Sequence, residues 1–447
     1  MKYYLLFILL ISNQFFWGQN RFILLDSSKV NTVPFELVND LIIVKANING
    51  SVLKLIFDTG VKQTILINMK ANDSIHFENI TKRNFSGVGI EKSVIEAFES
   101  KNNKLSLYGQ VYNTNATLFI ITSHKFRLSE HIGIVVNGFI GGDLIKDFIV
   151  KIDYKNNVLQ FYKHDLFYRK KLRKFTKIPI VLIKGKPYIE AQIQHSRKQK
   201  PQKLKLLIDT GNADALWVFN SKKDIIPKSK KQIIDFLGSG FSGDVEGKRL
   251  KTDVLRINKF KLRNIFTALP DSVYFENIVR KNHFDGIIGN EILKKFYIIL
   301  DYKNKSILLK KYRHNFHEHF YFNNSGIYLA YDGKILNTVK SVKTNYLLKP
   351  SSNREFYFAE EAIDYVYETK LMNKIVISYI RKGSPGDKSG LIKGDAILKI
   401  NGENVYDYHL NEISKNFFYQ NSKKVHFEIL RNGSIFHFVL LNEAVLN

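Results

Sequence analysis

The chain has 447 residues, 45% of them apolar, with 68 Lys and Arg against 41 Asp and Glu, a net charge of +27 and no cysteine. That length accommodates about three domains of ~150 residues each. The missing cysteine excludes disulfides, thiol nucleophiles and thiolate metal sites, and the basic residues are scattered without the clustered footprint of a nucleic-acid partner.

The first element in chain order is a leader. Lys2 precedes an apolar run from Tyr3 to Ile11, a polar break at Ser12-Asn13-Gln14, and Gly18-Gln19. This predicts a signal peptide over residues 1–19, hence an exported protein. The run is shorter than the ~20 residues that span a bilayer, and no later segment is long and apolar enough, so no stable membrane span is expected.

Two strand pairs follow, each ending in the same triplet. LIIVKANINGSVLKLIFDTG turns at Asn49-Gly50, a strong hairpin signal, and ends at Asp58-Thr59-Gly60. KPYIEAQIQHSRKQKPQKLKLLIDTG ends at Asp209-Thr210-Gly211, 151 positions later. Glycine pairs stand at offsets 29 and 31 from each aspartate, Gly87 and Gly89 in one half, Gly238 and Gly240 in the other. Apolar-apolar-Gly runs then end at Gly141 and Gly289, at offsets 83 and 80, and lead into a short helix and a strand closing on Asp-Tyr. A repeat of this kind makes the halves two copies of one unit.

The triplets suit one chemistry. Two carboxylates within hydrogen-bond distance cannot both ionise; they share a proton and activate a water. Gly60 and Gly211 permit close approach that a Cβ would hinder. Thr59 and Thr210 offer hydroxyls that bond across the two loops. The glycine pairs suit mobile hairpin tips over a substrate.

Over about residues 33–312 the pattern resembles the retropepsin-like aspartic peptidases, of the bacterial type with two fused lobes. The resemblance implies a mostly β fold, with lobes at 33–165 and 175–312 facing an interlobe cleft. It makes Asp58 and Asp209 the catalytic dyad, supported by Thr59, Gly60, Thr210 and Gly211. Gly141 and Gly289 would lie in strands behind the dyad, and Gly87, Gly89, Gly238 and Gly240 in the flaps. It implies a polypeptide substrate, no cofactor and no metal, and a bacterial periplasm or cell envelope as the destination. Val61 and Asn212 depart from the small residue usual after the triplet. The alternative is a catalytically inactive peptide-binding scaffold on the same fold.

The last third differs. ISYIRKGSPGDKSGLIKGDAILKINGENV, residues 377–405, predicts a short helix opened by Ser384-Pro385 and closed by Gly390, then tight turns at Gly394-Asp395 and Asn401-Gly402. VHFEILRNGSIFHFVLL predicts a terminal hairpin about Asn432-Gly433. This stretch resembles a bacterial PDZ domain, a β-sandwich/α module expected over 323–447. The resemblance implies capture of an extended peptide or C-terminus by strand addition, with Gly326 and Ile327 in the carboxylate loop, at a longer separation from the rest than is usual.

Three other signals carry less. Gly238, Gly240 and Gly243 spell a dinucleotide-loop pattern, but the segment reads as a hairpin rather than a helix start. His314, His317 and His319 lie in a basic linker that lacks a metal-site frame. Asp153 and Asp301 fall at strand-to-turn junctions and read as turn residues.

Overall fold

The computed structural model describes residues 20–69, 75–85, 95–122, 127–167, 172–196, 199–219, 226, 231–240, 243–275, 284–313, 315–350, 357–419 and 423–446. The leader expected over 1–19, the glycines Gly87 and Gly89 expected in a flap, and His314 lie outside them.

Each half is built around the hairpin its alternation predicts. Leu41–Ile48 pairs antiparallel with Ser51–Asp58, turning on Asn49 and Gly50 at φ 48° and 94°, the doubly left-handed turn that Asn-Gly favours. In the second half Lys186–Gln194 pairs with Gln202–Ile208. The apolar-apolar-Gly strand of each half then lies parallel to the triplet strand: Ile140 opposite Phe57, Ile288 opposite Ile208. A short antiparallel strand flanks it, Ile65–Leu66 in one half and Leu216–Val218 in the other. Among the described residues the two sheets hold nine and eight strands in matching order.

A third sheet joins the lobes. Ile149–Asp153 and Phe296–Asp301, the two strands closing on Asp-Tyr, pair antiparallel with each other, Ile149 opposite Asp301 and Ile152 opposite Ile298. Their runs IVKID and FYIILD are buried almost throughout, and one apolar cluster, including Phe57, Ile140, Ile152, Ile208, Ile288 and Ile298, extends through both lobes.

The C-terminal region has its own core, with Ile327, Ile377, Ile397, Ile400, Phe418 and Phe427. Ser384 caps the predicted helix Pro385–Lys388, its hydroxyl accepting from the Asp387 N–H at 3.3 Å. The terminal hairpin turns on Asn432 and Gly433, φ 50° and 81°.

The separation noted in the sequence is filled by a long arm. Ile327–Pro350 and Tyr357–Ile380 form one antiparallel hairpin with 24 residues in each strand. Leu336 faces Leu371 and Val342 faces Tyr365 across it, all four exposed.

Candidate active site

The two triplets meet through a crossed set of hydrogen bonds. The Thr59 N–H donates to Thr210 Oγ1 at 3.0 Å and the Thr210 N–H to Thr59 Oγ1 at 3.1 Å. Each hydroxyl in turn donates across the pseudo-dyad, Thr59 to the Ile208 carbonyl at 2.6 Å and Thr210 to the Phe57 carbonyl at 2.7 Å. Both threonines are fully buried. Serving as acceptor and donor at once, each fixes the opposite loop.

Each carboxylate is oriented by its own glycine. The Gly60 N–H donates to Asp58 Oδ1 at 2.6 Å and the Gly211 N–H to Asp209 Oδ1 at 2.9 Å. A Cβ on Gly60 would lie 2.7 Å from the Asp209 carboxyl, and one on Gly211 would collide with that of Asp58. A Cβ on Gly141 would strike the Asp58 carbonyl, and one on Gly289 the Asp214 and Asn212 carbonyls. Glycine is therefore required at all four positions by contact with the loops themselves.

The carboxyls perturb each other. Burial pushes Asp58 well above the ordinary carboxylate range, and the Asp209 charge and their mutual hydrogen bond push it further. Burial also raises Asp209, while the hydrogen bond from Asp58 and the Gly211 N–H oppose the rise. Two carboxyls this close share one proton between them. Lys186, half-buried as the first residue of its strand, lowers both through its charge; nothing in the sequence marked it. Val61 and Asn212, the atypical residues, make equivalent bonds, each N–H reaching the carbonyl of its aspartate at 3.4 Å.

The pseudo-symmetry breaks beneath the site. Tyr154 donates its hydroxyl to Asn290 Oδ1 at 2.6 Å, and Asn290 Nδ2 donates to the Thr210 carbonyl at 2.6 Å. On the other side Gly142 takes the place of Asn290 at the start of its helix, and the buried Tyr302 hydroxyl has no partner among the described residues.

The remaining sequence signals are placed as follows. Gly238 and Gly240 lie in Ile233–Gly240, which pairs with Gly243–Ile257 so that Gly240 faces Gly243; the Gly-x-Gly-x-x-Gly pattern is a hairpin. Asp153 and Asp301 accept from the N–H groups of Asn156 and Asn304, three residues on. His317 and His319 belong to no metal-binding cluster among the described residues. Gly326 and Ile327 begin the long hairpin, and their N–H groups donate to Asn323 Oδ1 at 3.1 Å and Ser325 Oγ at 3.0 Å.

The C-terminal region packs on the second lobe through buried charge. Asp235, on the strand of the second glycine pair, accepts from Arg249 Nε at 2.9 Å and from the Tyr328 hydroxyl at 2.8 Å, and pairs with Arg381 Nη1 at 3.4 Å. Arg249 also reaches Asp214 at 3.0 Å, three residues beyond the second triplet. Phe236 packs against His131 of the first lobe and against Tyr328 and Tyr379.

Comparison with known proteins adds two findings. A PDZ domain family matches residues 376–416. The chain is similar in structure to the aspartic proteinase of Irpex lacteus, at 13% identity and a TM-score of 0.36, over 64% of this chain and 98% of that one. No curated protein matches. The fold class read from the sequence is the one observed: mostly β, with two β lobes of matching strand order and a C-terminal PDZ region.

The threonine cross gives a direct test of the loop join. Thr59→Val leaves the Thr210 N–H and the Ile208 carbonyl buried without partners, at an expected cost of about 2–4 kcal/mol. Urea unfolding measures it, and Thr210→Val, which orphans the mirror pair, should cost a similar amount.

Proposed function

We propose that this chain is an exported aspartic endopeptidase, cleaving polypeptides with a water held between Asp58 and Asp209. The observation that carries this is the pair of mutually hydrogen-bonded carboxyls, Asp58 buried and Asp209 half-buried, on crossed, symmetric loops. The ionised member of the pair takes a proton from the water, which attacks the scissile carbonyl carbon while the protonated member donates to its oxygen. The resulting tetrahedral species collapses with proton transfer to the leaving nitrogen, so no covalent enzyme intermediate forms. The hairpin carrying Gly238 and Gly240 would cover the bound chain. Export rests on the leader: a fusion of residues 1–19 to a reporter should deliver it outside the cytoplasm, and retention would remove that part.

The test is to incubate the full chain with a mixed peptide library from acidic to neutral pH and read new termini by mass spectrometry. Internal cleavage is expected. Its absence at every pH, with binding of the same peptides retained, would favour a peptide-binding scaffold.

Lys186 supplies a second check. Its charge lowers both carboxyls, so Lys186→Met should move both limbs of the pH–rate profile to higher pH. An unmoved profile would mean that the lysine does not face the pair.

A further inference from the structure

The start of the long hairpin is closed by its own chain. The Arg381 N–H donates to the Gly326 carbonyl at 2.8 Å, so the next residue, Ile327, turns its N–H and carbonyl to the outer edge of the strand. That edge is where an added peptide strand would bond. Both groups are already engaged there. The Ile327 N–H donates to Ser325 Oγ, and the Ile327 carbonyl accepts from Asn323 Nδ2 at 2.7 Å. Asn323 Oδ1 meanwhile accepts from the Gly326 N–H and, at 2.7 Å, from the Ser325 hydroxyl. One carboxamide thus makes the two bonds that the last residue of a bound peptide would make, an oxygen taking the loop N–H and an N–H giving to the edge carbonyl.

The space beside it is open. A cavity of about 330 Å³ is lined by Asn323, Tyr328 and Leu329 on the strand side and by Leu410, Ser414 and Lys415 opposite. Its wall mixes apolar side chains with the cations Lys294, Lys415 and Arg249 and the carboxylates Asp40, Asp214 and Glu291, so a terminal carboxylate can meet a cation while the residue before it meets the apolar part. Phe236 and Arg249 of the second lobe line the same cavity.

We propose that Asn323 is an internal stand-in for a peptide C-terminus, and that an incoming terminal carboxylate displaces it and thereby loosens the second flap strand. Arg381 makes the link. Its Nη2 donates to the carbonyls of Asn323 and Asn324 at 3.0 and 3.2 Å, and its Nη1 pairs with Asp235 on Ile233–Gly240. Displacing Asn323 removes acceptors from the arginine that holds the flap strand. The binding step stands independently of hydrolysis; only its consequence for cleavage rests on the peptidase reading.

The experiment uses the full chain carrying Asp209→Asn, so that hydrolysis plays no part, and fluorescent decapeptides ending in valine as free acid or as amide. Anisotropy should show the acid binding more tightly than the amide. Asn323→Ala should tighten acid binding about tenfold, the worth of the internal bonds no longer displaced. Asn323→Ser, too short to reach both groups, should give the same gain and covers the case in which alanine unfolds the module. Hydrogen exchange over 233–240 should speed up when the acid binds, and this response should be lost in Tyr328→Phe with Arg381→Met. Equal binding of acid and amide, or unchanged affinity in both Asn323 variants, overturns the stand-in; unchanged exchange on saturation with the acid overturns the link to the flap.

Discussion

Asp58→Asn should abolish peptide cleavage while making the protein more stable at neutral pH. The two effects come from one geometry. The pair shares one proton, and asparagine at position 58 copies a protonated carboxyl: its amide can donate to Asp209 while its oxygen still accepts from the Gly60 N–H. The catalytic proton, however, can no longer be exchanged, and loss of an acid-base group of this kind lowers a rate by roughly 10²–10⁴-fold. Asp209→Asn removes the other member of the pair and should fall as far. The stability change follows from linkage. Both carboxyls are raised in the folded state, so the folded protein binds their protons more tightly than the unfolded chain. Their stabilising contribution is complete below the ordinary carboxylate value and is lost as pH rises through the raised values. At neutral pH the pair is therefore a net burden, which either asparagine relieves. Thermal melts should show a higher Tm than wild type at neutral pH and a shrinking difference towards acid. Undiminished cleavage by either variant would remove the dyad from the mechanism, and a Tm gain that persists unchanged in acid would remove the charge explanation.

The parts of the site legible in the sequence are those encoded locally. A strand ending in Asp-Thr-Gly, an Asn-Gly turn and a glycine pair at fixed offset each constrain a few neighbouring residues, and repetition multiplied their weight. The parts that were not legible depend on which distant segments meet. IVKIDY and FYIILDY announced buried strands, yet nothing in either says that Ile149 lies opposite Asp301. Lys186 and Asn323 are ordinary polar residues in sequence and gain meaning only from what the fold places beside them. The arm from Ile327 to Ile380 was obscured for a related reason: with both faces of its outer part exposed, the strict in-out alternation of a half-buried strand is not imposed on it. Gly142 shows the converse, a local residue whose effect appears at a distance, in the unpartnered Tyr302 hydroxyl.

Asp235 carries the largest structural effect outside the triplets. It is fully buried, as Arg381 nearly is, and holds Arg249, Arg381 and the Tyr328 hydroxyl. Asp235→Asn keeps the shape and removes the one carboxylate paired with Arg381 among the described residues; Arg249 retains Asp214. Leaving a buried charge without its counter-ion costs about 3–5 kcal/mol, so the urea midpoint should fall sharply. Tyr328→Phe, which removes one bond to a charged acceptor, should cost about 1.5–3 kcal/mol. The informative variant is the double one. If the cost of Asp235→Leu comes from stranding Arg381, then adding Arg381→Met should recover part of it, because the second change removes the stranded charge. If instead Asp235 serves only the second lobe through Arg249, the two losses should simply add. The sign of that coupling separates a PDZ region that is part of the lobe's own architecture from one that merely rests against it, and recovery is the expected result.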